Sequence, residues 1–124
     1  MTISAPRGLL KLVSLQLLSG SSFSGAELQE EIRKTSEGVW RPGPGSIYLL
    51  LEGLRKGEYI VELPHRGGTV RRYVISNKGK AELAKLRAEI DDEVRRQLRL
   101  LAYCCDNTSS PKMAAGLRKL SEDR

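Results

Sequence analysis

The regular spacing of apolar residues near the carboxyl end most constrains what this 124-residue chain can fold into. Between residues 83 and 101, successive apolar positions are separated by 3, 4, 4, 4 and 3 residues. This spacing predicts one helix over about residues 77–103, because 18 residues make about five turns at 3.6 residues per turn. The residues on its apolar face are Leu83, Leu86, Ile90, Val94, Leu98 and Leu101.

Such a helix is too long to be covered by a core built from the residues that precede it. Its distal half therefore needs another surface, and association with a second copy of the chain supplies one. A frayed or solvent-bridging helix is the alternative. The first helix, expected from near Pro6 to Leu18, is apolar nearly all round, so we expect a core on one side and a partner subunit on the other. Leu12 is assigned to that interface.

Between these two helices the sequence predicts two more. Ser24 and Glu27 form an S-x-x-E capping box that starts the second helix, which ends near Gly38. Residues 40–45 contain two prolines and two glycines in alternation, from Pro42 to Gly45, and predict a stiff turn outside regular structure. A third helix then begins near Ser46 and ends at Gly57, with a buried face made of Ile47, Leu50, Leu51 and Leu54 and with Tyr48 and Leu49 left exposed.

A β-hairpin is predicted after the third helix. Residues 59–63 and 70–75 are rich in β-forming side chains, and the loop between them has a Gly-Gly tip. Ser76 is placed to cap the long helix. Beyond that helix, Met113, Ala114, Leu117 and Leu120 have the spacing of a short final helix, and residues 121–124 are expected to be disordered.

The charge of the chain favours an anionic partner. Lys and Arg number 21 and Asp and Glu number 15, which leaves a net charge of +6. No acidic residue stands between Glu62 and Glu82, so a local cationic patch is expected there, with a solvated surface face as the alternative. The cations of this acid-free stretch are Arg66, Arg71, Arg72, Lys78 and Lys80.

Several classes of function are excluded by composition. His65 is the only histidine and has no partner in a readable catalytic motif, so the chain is not expected to be an enzyme. We expect no metal and no other cofactor, since soft ligands are too few. Cys104 and Cys105 are adjacent and are expected to be free thiols, with a bridge between subunits as the alternative. No membrane span is predicted, and a cytoplasmic location is the default expectation.

The order of elements is that of a winged helix-turn-helix followed by a long dimerisation helix. The fold is therefore expected to be mainly α with a two-stranded β-wing, with a DNA-binding domain over residues 1–76 and a dimerisation segment over residues 77–124. In such folds the second helix of the pair enters the major groove and the wing approaches the phosphate backbone. The residues expected to contact DNA are Arg41, Ser46, Tyr48, Leu49, Glu52, Arg55, Lys56, Arg66, Gly67, Gly68, Arg71 and Arg72.

Three segments resemble the PadR family of transcriptional regulators. Residues 38–48, Gly-Val-Trp-Arg-Pro-Gly-Pro-Gly-Ser-Ile-Tyr, are similar to the family signature, and Ser24 to Leu28 and Arg71 to Gly79 resemble its second helix and wing. The resemblance covers about residues 7–88 and implies a dimeric, DNA-binding, repressor-like protein. The chain departs from the family at Leu49, where proline is usual, and at Gly53 inside the third helix.

These observations together predict a homodimeric repressor that binds double-stranded DNA at a pseudo-palindromic operator. A winged-helix adaptor that binds another protein, without specific DNA binding, is the alternative. Some members of the family bind aromatic or drug-like ligands between the helices of the dimer. The long helix here carries Tyr103 but no tryptophan, so such a pocket is not supported, and an effector stays unassigned.

Overall fold

The computed structural model describes residues 8–64, 68, 70–106 and 110–122. They form two compact units, the first within residues 8–85 and the second within residues 86–122. The elements are α1 (Leu9–Gly20), β1 (Phe23–Ser24), α2 (Gly25–Thr35), α3 (Pro44–Lys56), β2 (Ile60–Glu62), β3 (Arg72–Ile75), α4 (Asn77–Asp106) and α5 (Pro111–Glu122). The predicted fold class, mainly helical with a β-wing, is confirmed.

Helix α1 packs into the first unit through Leu15 and Leu18, which are buried. It begins at Leu9, after Gly8 with a φ of 84°, and the predicted start at Pro6 lies outside the described residues. Ser14 is also fully buried, and within the described part of the chain its hydroxyl has no hydrogen-bond partner. A polar residue on a largely apolar helix thus faces the interior rather than the solvent.

Helix α2 begins with the capping box that the sequence predicts. The Glu27 backbone N–H donates to Ser24 Oγ at 3.2 Å, and the Ser24 backbone N–H donates to the Glu27 carboxylate at 3.0 Å. Leu28 and Ile32 form its buried stripe. The helix ends at Thr35, and the following turn passes through Gly38 with a φ of 81°. A left-handed residue at this position favours glycine.

Helix α3 begins two residues earlier than predicted. Pro44 and Gly45 were expected in an irregular turn, but they form the first turn of the helix, with Gly43 as its N-cap. Proline fits there because the first N–H groups of a helix have no intrahelical acceptor. The turn before it is held by the Gln29 side chain, whose Nε2 donates to the Pro42 carbonyl at 2.8 Å. The helix ends before Gly57, as expected.

The sheet has three antiparallel strands in the order β1-β3-β2, so the expectation of two strands was one short. Strands β2 and β3 form the predicted hairpin, with Val61 opposite Val74. The added strand β1 has two residues, and it pairs Phe23 with Tyr73. Two residues are too few to show a β period, which explains why the sequence pattern did not reveal it.

The core of the first unit lies where α1, α2, α3 and the sheet meet. The first turn of α4 is seated against the α3–β2 connection, where Ser76 accepts a hydrogen bond from the Gly79 N–H and donates to the Glu58 carbonyl. A Cβ at Gly79 would overlap the Tyr59 carbonyl oxygen, so only glycine fits there. The buried apolar residues are Leu15, Leu18, Leu28, Ile32, Ile47, Leu51, Leu54, Ile60, Tyr73 and Leu83.

The second unit contains the rest of α4 and helix α5. Arg95 donates to the Ser121 carbonyl at 3.2 Å, and Arg118 forms an ion pair with Asp106, so α5 folds back along α4. Ala102 and Ala114 are fully buried. Residue 121, expected to be disordered, lies in α5 and is buried, as its contact with α4 requires. No helix among the described residues has the length and apolarity needed to cross a membrane.

Candidate nucleic-acid interface

The outward face of α3 is the central surface of the candidate interface. Tyr48 and Leu49 are 64% and 72% exposed, as the sequence predicts, although both are large and apolar in character. Ser46 is exposed beside them in the first turn. The opposite face of α3 is held against α2, where a Cβ built at Gly25 would come within 3.4 Å of the Leu51 side chain. The helix is therefore anchored by one side and presents the other to a partner.

The carboxyl-terminal part of α3 carries a paired acid and base. Arg55 donates through two nitrogens to the two carboxylate oxygens of Glu52, both at 3.1 Å. The side-chain hydrogen bonds from Arg55 are the largest cause that lowers the pKa of Glu52, so this carboxyl stays ionised. Lys56 is exposed next to the pair. The pairing offsets the negative charge that an anionic partner would meet on this helix.

Two exposed arginines lie in the segments next to α3, one in the preceding turn and one in the wing. Arg41 lies in the turn before the helix, and its Nε donates to the Gly38 carbonyl at 3.3 Å. Arg71 precedes β3 in the wing, and its Nε is 3.6 Å from a Glu62 carboxylate oxygen. That separation is a loose, exposed ion pair, which contributes little and leaves the guanidinium able to turn to another anion.

Arg72 has a different environment from Arg71. Its guanidinium donates to the Ser22 carbonyl at 3.0 Å, to Ser22 Oγ at 3.2 Å, and forms an ion pair with Glu27. Glu27 is the acidic member of the capping box, and hydrogen bonds from Ser24 followed by the charge of Arg72 lower its pKa. Arg72 thus links the wing strand to the start of α2, and neither the acid-free stretch nor the spacing indicated this.

A groove of about 460 Å³ lies between the start of α2, α3 and the wing. Its floor is apolar, and its edge carries polar groups from all three elements. Gln29 and Val70 line it, although the sequence analysis did not select them, since neither belongs to a recognisable motif. The groove is also lined by Ser24, Ile47, Tyr48, Leu51, Arg71 and Tyr73.

The described cations of the acid-free stretch have different environments. Lys78 Nζ lies 4.8 Å from the centroid of the Tyr59 ring and donates to the Gly57 carbonyl at 2.7 Å. Lys80 is exposed on α4. Arg66 and Gly67 at the predicted wing tip, with His65, lie outside the described residues, whereas Gly68 is described and exposed. The cationic residues that the structure brings near α3 are therefore Arg41, Arg55, Lys56 and Arg71.

The residues assigned to the subunit interface fall into three groups. Leu83 is only 4% exposed and belongs to the core of the first unit, while Leu12 in α1 is half-buried. Val94 and Leu101 are 41% and 39% exposed in the second unit. The remaining assigned residues, Leu86, Ile90 and Leu98, are half-buried there. The described part of α5 adds exposed apolar residues that were not assigned, Met113 and Leu120.

The described residues give little support to metal binding or to disulfide formation. Within residues 8–64, 68, 70–106 and 110–122, no cluster of histidine, cysteine or acidic side chains is arranged to hold a metal ion. Cys104 is exposed and Cys105 is half-buried, and no disulfide joins either of them to another described residue.

Comparison with known proteins gives one family and several similar structures. Residues 15–85 match the profile of the transcriptional regulator PadR-like family. The chain resembles a transcriptional regulator from Clostridium thermocellum with a TM-score of 0.67 and 22% identity, over 71% of this chain and 87% of that one. It also resembles a PadR-like regulator from Bacillus cereus, with a TM-score of 0.58 and 27% identity, over 67% and 82% of the two chains.

A third similar structure was solved with DNA. Bacillus subtilis PadR in complex with operator DNA matches with a TM-score of 0.56 and 25% identity, over 63% of this chain and 46% of that chain. No curated protein sequence matches. The profile match and the structural matches agree with the winged-helix arrangement described above.

Proposed function

The chain belongs to the PadR-like family of transcriptional regulators, and on that premise we propose that it is a DNA-binding repressor that acts as a homodimer. In this proposal α3 lies in the major groove of an operator and the wing lies along the phosphate backbone. Two copies would place their recognition helices in successive major grooves, about 34 Å apart, so the operator is expected to be pseudo-palindromic. Repression follows if occupancy excludes polymerase from a nearby promoter.

The observation that carries the proposal is the exposed face of α3, with exposed cations in the preceding turn and in the wing. Tyr48 and Leu49 project from a helix whose other face is buried, and Arg41 and Arg71 flank it from the preceding turn and from the wing. Base edges are read by a helix in the major groove, whereas guanidinium groups pair with phosphate oxygens. Bacillus subtilis PadR, a similar structure, was solved with operator DNA, which supports this class of partner.

Selection of bound duplexes from random DNA tests the proposal. We expect an enriched sequence with two inverted half-sites, because a two-fold symmetric dimer reads the same bases twice. If six to ten phosphates are contacted, affinity should fall by about 10³–10⁵ between 50 and 200 mM salt. Failure to enrich any duplex would favour the protein-adaptor alternative, and enrichment of a single half-site would contradict the dimer.

The subunit interface is proposed to involve the apolar face of α4, within residues 86–101. Val94→Glu tests it, because Val94 is already 41% exposed in one chain and the substitution should not unfold the monomer. We expect the variant to be monomeric by light scattering and to keep its helical circular dichroism. Ala88→Glu is the matched control, since it adds the same charge at an exposed position about 120° around α4 from Val94, away from the apolar face. A dimeric Val94→Glu protein would show that the interface lies elsewhere.

A further inference from the structure

Leu49 occupies an unusual position on α3. It is 72% exposed, and no other large apolar residue of this helix is exposed to that extent. The residues four positions before and after it, which share its face of the helix, are Gly45 and Gly53. Along this row of the helix, Leu49 is therefore a bulky side chain between two residues without side chains, while Ser46 and Glu52 lie three positions away on the same face.

No contact within the described part of the chain explains why position 53 is a glycine. It lies inside α3, where glycine is less favourable than alanine. Apart from its chain neighbours and the backbone of α3, a Cβ built at Gly53 would meet no described atom within 4 Å, so neither packing nor close approach of another segment requires a glycine. The space above Gly53 is open to a partner, and the proposed partner in that position is duplex DNA.

The chemistry of the major groove identifies what an exposed leucine can contact there. Base edges in this groove present hydrogen-bond donors and acceptors, and the C5-methyl of thymine is their apolar group. The Leu49 side chain offers no hydrogen bond and gains only by covering apolar surface. Tyr48 is placed differently, because it lines the groove shared with Arg71 and β3.

We propose that Leu49 is a specificity-determining residue that contacts the C5-methyl of a thymine in each half-site, and that Gly53 keeps the helix surface low enough for this approach. The inference rests on the proposed DNA-binding function. It goes beyond that function because it assigns a base and a chemical group to one side chain.

Replacement of thymine by deoxyuridine in the selected duplex removes only the methyl group. We measure affinity by fluorescence anisotropy at fixed salt, replacing one thymine position at a time in both half-sites. Burial of one methyl-sized group corresponds to about a fourfold change in affinity per half-site, or about fifteenfold for both. At the contacted thymine, deoxyuridine should lower the affinity of the native chain by this factor. The Leu49→Ala variant should bind every duplex more weakly than the native chain, but deoxyuridine should lower its affinity less than twofold.

The outcomes separate the two proposals. Equal sensitivity of Leu49→Ala and the native chain to deoxyuridine at every thymine would overturn the contact, as would a selected half-site without thymine. Both results leave DNA binding itself intact. If no duplex is selected at all, the proposed function fails, and the assignment of Leu49 fails with it.

Two glycine-to-alanine variants provide a second test. Gly53→Ala should raise the melting temperature and weaken the selected duplex by more than tenfold, because the added methyl blocks close approach. Gly116→Ala is the matched control, since Gly116 lies inside α5 and a Cβ there also meets no described atom within 4 Å. It should raise the melting temperature without a change in affinity. Native-like affinity of Gly53→Ala would show that the helix surface is not approached at this point.

Discussion

The two neighbouring wing arginines are expected to respond differently to removal, and this difference is the sharpest test of the interface. Arg71→Gln removes an exposed guanidinium whose partner Glu62 is 3.6 Å away, so its proposed role is to contact a phosphate. Arg72→Gln removes a guanidinium that already donates to Ser22 and pairs with Glu27. We therefore expect Arg72 to position the wing rather than to contact DNA, which revises its assignment from the acid-free stretch.

Counterion release sets the expected change in salt dependence for Arg71→Gln, and the lost hydrogen bonds set the expected change in stability for Arg72→Gln. Each phosphate contact adds about 0.9 to the slope of log affinity against log salt, so loss of Arg71 from both subunits should lower that slope by about 2. Arg72→Gln should leave the slope unchanged. Its hydrogen bonds to the Ser22 carbonyl and hydroxyl contribute about 1 kcal/mol each, so unfolding in urea should show a loss of about 1–2 kcal/mol.

The assay is a salt titration of duplex binding by anisotropy, run on both variants beside a urea melt. Glu27→Gln serves as a further control, because it removes the acidic partner of Arg72 without removing a cation. In a double-mutant cycle the effects of Glu27→Gln and Arg72→Gln on stability should be less than additive. A slope that falls as much for Arg72→Gln as for Arg71→Gln would refute the positioning role and restore a phosphate contact.

Three further predictions concern stability. Ser14→Ala should raise the free energy of unfolding by about 1 kcal/mol in a urea melt, because it removes a buried hydroxyl without a described partner, and a loss would show that the hydroxyl is satisfied. Gly79→Ala should destabilise by about 3 kcal/mol or more, since its Cβ would overlap the Tyr59 carbonyl, and an unchanged melting temperature would contradict that close packing. Glu27 has a lowered pKa in the folded chain because Ser24 donates to it, so its contribution is present above pH 4.5 and is lost as the pH falls below that value. Glu27→Gln should therefore flatten the acid side of the stability profile, and an identical profile would show no linkage.

Local signals in the sequence predicted the elements that are set by neighbouring residues. The capping box of Ser24 and Glu27 placed the start of α2, and the three- and four-residue spacings placed the buried face of α3 and the course of α4. These features depend on backbone hydrogen bonds and on one helical period, so a single chain segment contains all the information they require.

Features that depend on distant contacts were not predicted. Strand β1 exists because Phe23 meets Tyr73 across the sheet, fifty residues later. The hydrogen bonds and the ion pair of Arg72 depend on Ser22 and Glu27 in the same way, so counting charges along the chain could not reveal them. Pro44 was assigned to a turn because two prolines and two glycines alternate there, although proline is favoured in the first turn of a helix.

Ser24 belongs to two elements at once, and this has a consequence for how the first unit opens. It is the last residue of β1, opposite Arg72, and it is also the N-cap of α2. Separation of β1 from β3 would therefore loosen the cap, and loss of the cap would loosen the strand. Hydrogen exchange at the amide of Glu27 and at the amides of β3 should then report one shared opening, with equal free energies and equal dependence on denaturant. The wing and the helix-turn-helix would thus behave as a single cooperative unit. A destabilising substitution in either would increase amide hydrogen exchange in both.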